Sequence, residues 1–150
     1  MDAVTYPDPV VRAYFKGNII PVRVAFDHET LAKKFGIKWT PALITLDAEG
    51  LEHHRTVGFL DPGELIPSLL LGRAKTDFDL DNFEGAIRTL ESLLKDYPKS
   101  GSTPEAIFLD GVNRYKSSHD PKPLKEAYQR LKAEYPDSEW TKRAYPYRLL

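Results

Sequence analysis

The stretch Leu93–Ser100, LLKDYPKS, returns as LKAEYPDS at Leu131–Ser138, which places the pairs Tyr97-Pro98 and Tyr135-Pro136 38 residues apart. Each copy closes a run of apolar residues at helical spacing. Phe83, Ala86, Ile87, Leu90, Leu94 and Tyr97 form the first stripe, and Leu124, Ala127, Leu131 and Tyr135 form another. Between them Ala106, Leu109, Val112 and Tyr115 line a further helix. Self-similarity at a period of about 20–50 residues marks stacked helical units, each of which buries its apolar face only against a neighbour. From Asp77 onward no strand-like run remains, so residues 73–150 read as an all-α unit.

Upstream, the period changes. Asp8 is placed to cap a short helix over PVVRAYF, where Val10, Val11, Tyr14 and Phe15 fall on one stripe. IIPVRVAFD (Ile19–Asp27) alternates Val22, Val24 and Phe26 against Arg23 and Ala25, which predicts a strand with one buried face and Pro21 at its entrance or edge. DHETLAKKFGI carries Leu31, Ala32 and Phe35 at helical spacing with Gly36 as its stop. PALITLD and LEHHRTVGF are separated by AEG and predict an antiparallel hairpin. Asp61 and Pro62 then start a helix whose buried stripe is Leu65, Ile66, Leu69 and Leu70, with Pro67 in the first turns where a missing amide donor is tolerated.

The order helix, strand, helix, hairpin, helix resembles the later part of a thioredoxin fold. The specific likeness is to the thioredoxin-like domain at the C-terminus of thiol:disulfide interchange proteins. MDAVTYPDPVV fits the segment that follows that family's Cys-x-x-Cys, LAKKFGIKWTPALITLDAEG fits its helix, cis-proline loop and hairpin, and VGFLDPGEL fits its final helix start. The resemblance implies an α/β class: a thioredoxin-like mixed sheet with helices over residues 1–72, lacking its N-terminal central strand. That unit is joined to a tetratricopeptide-like all-α unit over residues 73–150. FEGAIRTLESLLKDYP and PEAIFLDGVNRYKSSHD carry the second likeness, with Gly111, Tyr115 and Ala127 near small and aromatic signature positions. By the first resemblance, Thr40 and Pro41 present backbone groups to an extended peptide across a cis bond, with Trp39 and Gly58 beside them. Trp39 has two readings, groove wall or packing on the sheet, and Gly58 is either a groove glycine or a turn that ends a strand.

The chain contains 150 residues and no cysteine, which excludes disulfides, thiolate metal sites and thiol catalysis from these residues. No thiol–disulfide activity is therefore expected of this chain, and no cofactor is implied. With 21 basic and 22 acidic residues there is no nucleic-acid footprint, and no apolar run approaches the roughly 20 residues of a membrane span. The first residues have neither the basic nor the apolar region of a secretory signal. That points to the cytosol, or to the periplasm if further sequence precedes Met1.

His53 and His54 are neighbours on a predicted strand, point to opposite faces and cannot share one metal ion, so no metal site is expected. His28 and His119 read as turn residues. The many tyrosines and Trp140 of the helical unit are either its interlocking core or the wall of a partner groove. The expected function is thus a thioredoxin-family protein without redox cysteines that binds a protein or an extended peptide. The alternative is the downstream part of a thiol:disulfide oxidoreductase whose Cys-x-x-Cys lies before Met1. Loss of a central strand would also leave an open sheet edge, through which self-association is expected.

Overall fold

A computed structural model describes residues 1–150. It contains seven helices, α1 Pro9–Asn18, α2 Glu29–Lys34, α3 Pro62–Asp79, α4 Phe83–Asp96, α5 Thr103–Ser118, α6 Lys122–Glu134 and α7 Glu139–Ala144, followed by a 3-10 turn at Tyr145–Leu149. Strands β1 Ala42–Leu46 and β2 Glu52–Val57 form a two-stranded antiparallel sheet between α2 and α3.

Helix starts follow their side chains. Asp8 accepts from the amides of Val10 (2.8 Å) and Val11 (3.2 Å) at α1, and Asp61 accepts from Gly63 (2.7 Å) and Glu64 (3.1 Å) at α3. Each satisfies amides that a helix start leaves unpaired, and Pro9 and Pro62 stand at positions that need no donor. His28, read above as a turn residue, caps α2 through Nδ1, which accepts from the Leu31 amide (3.3 Å). Gly36 ends α2 at φ +58°, a left-handed conformation that glycine adopts freely.

The core follows the helical stripes. Leu71, Ala74, Ala86, Leu90, Leu93 and Ala106 pack together across α3, α4 and α5. Ile107, Ala127, Tyr128, Leu131 and Ala144 continue the stack through α6 and α7. A third cluster, Val11 with Leu65 and Ile66, joins α1 to the first turns of α3. Two glycines permit close approach. A Cβ on Gly111 of α5 would stand 2.6 Å from the Ala127 Cβ of α6, and one on Gly72 of α3 would stand 2.4 Å from Thr45 Oγ1 of β1.

The two Tyr-Pro copies are structural copies as well. Tyr97 ends α4 at φ −131°, ψ 52°, and Tyr135 ends α6 at φ −138°, ψ 57°. The amide of Ser100 donates to Tyr97 O and that of Ser138 to Tyr135 O, both at 3.1 Å. From the next helix, Thr103 Oγ1 donates to Tyr97 O (2.8 Å) and Thr141 Oγ1 to Tyr135 O (2.6 Å). Leu93, Thr103 and Ala106 thus have the buried equivalents Leu131, Thr141 and Ala144, each 38 residues on. The Tyr135 hydroxyl donates to Pro98 O (2.9 Å) and ties one corner to the other.

The N-terminal part differs from expectation in one element. Ile19–Asp27 does not form a strand, and no face of it is buried: residues 20–30 are all exposed, with Val22 at 78% and Phe26 at 59%. Alternation gives a segment the capacity to pair, yet a strand also needs an adjacent ladder, and β1 pairs only with β2. Within Ile20–Phe26 the one backbone hydrogen bond is accepted by Ala25 O from the His28 amide. The mixed sheet expected over residues 1–72 is therefore a hairpin alone. α3 runs without a break past residue 72 and packs on α1, β1 and β2 as well as on α4.

Candidate binding sites

The hairpin positions the residues expected to bind peptide. Ala42 pairs with Val57, and one step outward the Gly58 amide donates to Pro41 O (2.8 Å). Gly58 holds φ +109°, a conformation that side chains disfavour. The Thr40–Pro41 peptide is cis. Pro41 and Gly58 are thus brought together at the open end of the hairpin, with Thr40 exposed beside them and Trp39 71% exposed. Phe59 and Val57 add further exposed apolar surface at this end. Thr40 makes no backbone hydrogen bond within the chain.

The other end of β2 builds a second site. The β1–β2 turn is closed by Asp47 Oδ1, which accepts from the amides of Glu49 (3.0 Å) and Leu51 (2.8 Å), and an irregularity in register lies at Thr45/Leu46. His53 sits between two carboxylates, Asp79 at the end of α3 (2.7 Å from Nδ1) and Asp47 (2.9 Å from Nε2), and its side chain is only 2% exposed. Hydrogen bonds to Asp79 and then to Asp47 raise its pKa above the ordinary imidazole value, and the same contact helps to hold Asp47 below the usual carboxylate range.

His54 behaves oppositely. Burial, with Lys75 beside it, lowers its pKa to about 4. Its neutral ring accepts from Lys75 Nζ at Nδ1 (3.3 Å), so Nε2 carries the proton and donates to Thr56 Oγ1 (3.3 Å), which in turn meets Ser68 Oγ (2.9 Å). Lys75 Nζ also pairs with Glu105 of α5 at 2.5 Å. Arg55 grips both oxygens of Glu52 (2.7 and 2.6 Å) and donates to Phe35 O (2.6 Å), and that grip lowers the Glu52 pKa.

Glu52, His53, His54, Arg55, Lys75 and Glu105, with Trp140 and Arg143, line an open depression of about 530 Å3 between β2, α3, α5 and α7. The Arg143 guanidinium lies over the Trp140 ring, 4.6 Å from its centroid, and Trp140 rests on Phe108 of α5. Trp140 is therefore core on one side and wall on the other. Sequence reasoning missed Lys75, Glu105 and Arg143 as site residues. One signal was present: Glu105 and Arg143 are themselves 38 residues apart, equivalent positions on successive helices of the stack.

Residues 68–100, spanning most of α3 and all of α4, match the family model of a tetratricopeptide repeat. No curated protein and no solved structure matches the chain. The match covers one helix pair and the corner after it. The corner that ends α4 inside the matched segment recurs at the end of α6, 38 residues on.

Proposed function

We propose that the chain is a protein-binding module whose helical region receives a partner in the groove beside β2. The observation that carries this reading is the open depression of about 530 Å3 lined from α3, α5 and α7, alternate helices of a stack whose first pair matches a tetratricopeptide repeat. Stacked repeats expose such surfaces because each unit buries one face on its neighbour and leaves another free. A display library of random peptides panned against the chain tests it. Enriched peptides should lose binding to a Trp140→Ala variant that keeps its helical circular dichroism; enrichment no better than on an unrelated helical protein refutes the reading.

The finer part of the proposal is a thioredoxin-family origin for residues 1–72, with an extended peptide contacting Trp39, Thr40, Pro41 and Gly58. Its support is the unpaired backbone of Thr40 next to the Pro41–Gly58 hydrogen bond, a ready acceptor and donor for an added strand. The open edge of β1 supports self-association in the same manner. Light scattering that returns a strictly monomeric mass across the micromolar range refutes the latter. The oxidoreductase alternative draws on the unpaired, strand-patterned Ile20–Phe26, and it needs a Cys-x-x-Cys supplied by residues other than these 150. Insulin reduction by this chain is expected to be absent, and turnover would contradict the thiol-free reading.

A further inference from the structure

We propose that His53 is a proton-operated latch: with both ring nitrogens protonated it ties the tip of the β1–β2 hairpin to the end of α3, and with one proton lost it lets Asp79 go. Its placement follows from the irregular register of the hairpin. Thr45 faces His54 and Leu46 faces Glu52, which leaves His53 as the extra residue of β2. An extra residue stands outside the ladder, and its side chain is re-aimed. Here that side chain is 2% exposed, with Asp79 Oδ2 at 2.7 Å from Nδ1 and Asp47 Oδ2 at 2.9 Å from Nε2.

Carboxylates accept and do not donate, so both contacts are hydrogen bonds only when each ring nitrogen carries a proton. A neutral ring has one N–H, and its other nitrogen then turns a lone pair toward a carboxylate oxygen in a place largely shut off from water. The two carboxylates are not held alike. Asp47 is 6% exposed, and its Oδ1 also accepts from the amides of Glu49 and Leu51. Asp79 is 48% exposed, and His53 is its one side-chain partner. It is also the last residue of α3, whose final turn has no basic side chain and carries Asp77 as well. Anions at a helix C-terminus oppose its dipole, and the imidazolium offsets that. Loss of the proton from Nδ1 therefore keeps the bond to Asp47, releases Asp79 to solvent and loosens the last turn of α3.

The other charges around the site are matched among themselves. Arg55 pairs with Glu52 on β2, Lys75 of α3 with Glu105 of α5, and Arg143 with Glu139 on α7, while Lys34 Nζ of α2 stands by Gly50 in the hairpin turn. Asp79 and then Asp47 act on the ring and raise its pKa. His54, one residue on, is held neutral by burial beside Lys75, so the adjacent histidines titrate on opposite sides of the ordinary imidazole value.

The test uses the whole chain. Imidazole 15N NMR across about pH 5–9 reads the protonation and tautomer of each histidine. Hydrogen exchange of the Leu80 and Asn82 amides, which donate to Thr76 O and Asp77 O at the end of α3, reads the last turn once the intrinsic pH dependence of exchange is divided out. His53 is expected to titrate above about 6.5 and to keep its remaining proton on Nε2, while the protection of those two amides falls about three- to tenfold. Asp79→Asn, a change at a half-exposed side chain, should lower the His53 titration point and flatten the step in exchange. Titration of His53 at or below about 6.5, retention of its proton on Nδ1, or an undiminished exchange step in Asp79→Asn overturns the latch. Protection that stays constant while His53 titrates overturns it too, since the histidine is then a static tie.

Discussion

Replacing Gly111 by alanine sets two opposing effects against each other, and the crossing of α5 and α6 decides between them. The new Cβ would lie 2.6 Å from the Ala127 Cβ and 3.0 Å from Pro123 O. Carbon atoms pack best at about 3.5–4.0 Å, so α6 must retreat by roughly 1 Å. That retreat pulls Ala127, Tyr128 and Leu131 away from Ile107 and Ala144, the cluster that closes the stack. Overpacking of this kind costs about 1–3 kcal/mol, whereas alanine in place of glycine inside a helix returns about 1 kcal/mol. The retreat adds lost contacts to the first figure, so Gly111→Ala is expected to be destabilised by about 1–2 kcal/mol, or about 3–6 °C in Tm for a chain of this length. Urea and thermal unfolding measure it. The double variant Gly111→Ala/Ala127→Gly removes the opposing Cβ and should show favourable coupling of about 1 kcal/mol in a double-mutant cycle. A single variant more stable than the parent, with no coupling, would mean that helix propensity alone governs the site and that the close crossing has no energetic weight.

Two further outcomes follow from the corners and the histidines. Thr103→Val and Thr141→Val each remove a hydroxyl that donates to a helix-ending tyrosine carbonyl, and each should cost about 1 kcal/mol in urea unfolding; a cost at only one corner would show that the two copies are not equivalent. His54 is held neutral in the fold with a pKa of about 4 against an unfolded value of about 6.5, so its contribution is complete above pH 6.5 and is lost as pH falls toward 4. After discounting for its partial exposure, the stability difference between the parent and His54→Gln should shrink by about 1–2 kcal/mol over that interval, and a difference that stays flat with pH would contradict the buried-neutral assignment. His53 has the opposite sign: its raised pKa gives stability that is complete below pH 6.5 and is lost as pH rises through the folded value.

The helices were legible because their information is local. A stripe of Phe83, Ala86, Ile87 and Leu90 needs only a neighbouring helix, and the chain supplies one on each side. The hairpin was legible for the same reason, and with it the meeting of Pro41 and Gly58, since antiparallel pairing through a short turn fixes which residues oppose each other. Ile19–Asp27 shows the limit. Its alternation matches that of a strand, but a ladder is a property of two segments, and Val22, Val24 and Phe26 stand in solvent where none is present. The groove was illegible because Arg55, Lys75, Glu105 and Arg143 meet only after four elements have packed, although the 38-residue register already aligned the last two.

That register also reaches back into α3, and the residues found there show how the N-terminal part is joined to the stack. Thr103 and Thr141 open α5 and α7 by capping the helix before each of them; the equivalent residue in α3 is Leu65, which caps nothing and instead packs on Val11 of α1. The element before α3 is the strand β2 and not a helix, so no helix-ending carbonyl stands there to accept from a hydroxyl, and an apolar side chain is the stable choice. Position 60, equivalent to Pro98, keeps its carbonyl occupied from a different source, since Leu60 O accepts from Thr5 Oγ1 at 2.6 Å, just as Pro98 O accepts from Tyr135. Three residues beyond Leu65, where α5 and α7 bury Ala106 and Ala144, α3 buries Ser68, whose hydroxyl meets Thr56 of β2. Each departure from the repeat thus replaces a helix-facing group by one suited to α1 or to the hairpin. An open end of a helical stack leaves an apolar face exposed, and repeat arrays need a terminal unit with a polar outer side. α1, β1 and β2 occupy that place, with Val11 the sole large apolar side chain before residue 60 that is fully buried, and it is buried against α3. The first helix of the stack is therefore also the element on which the N-terminal part depends for its core, and β2 reaches the groove it shares with α5 and α7 only by packing on that helix.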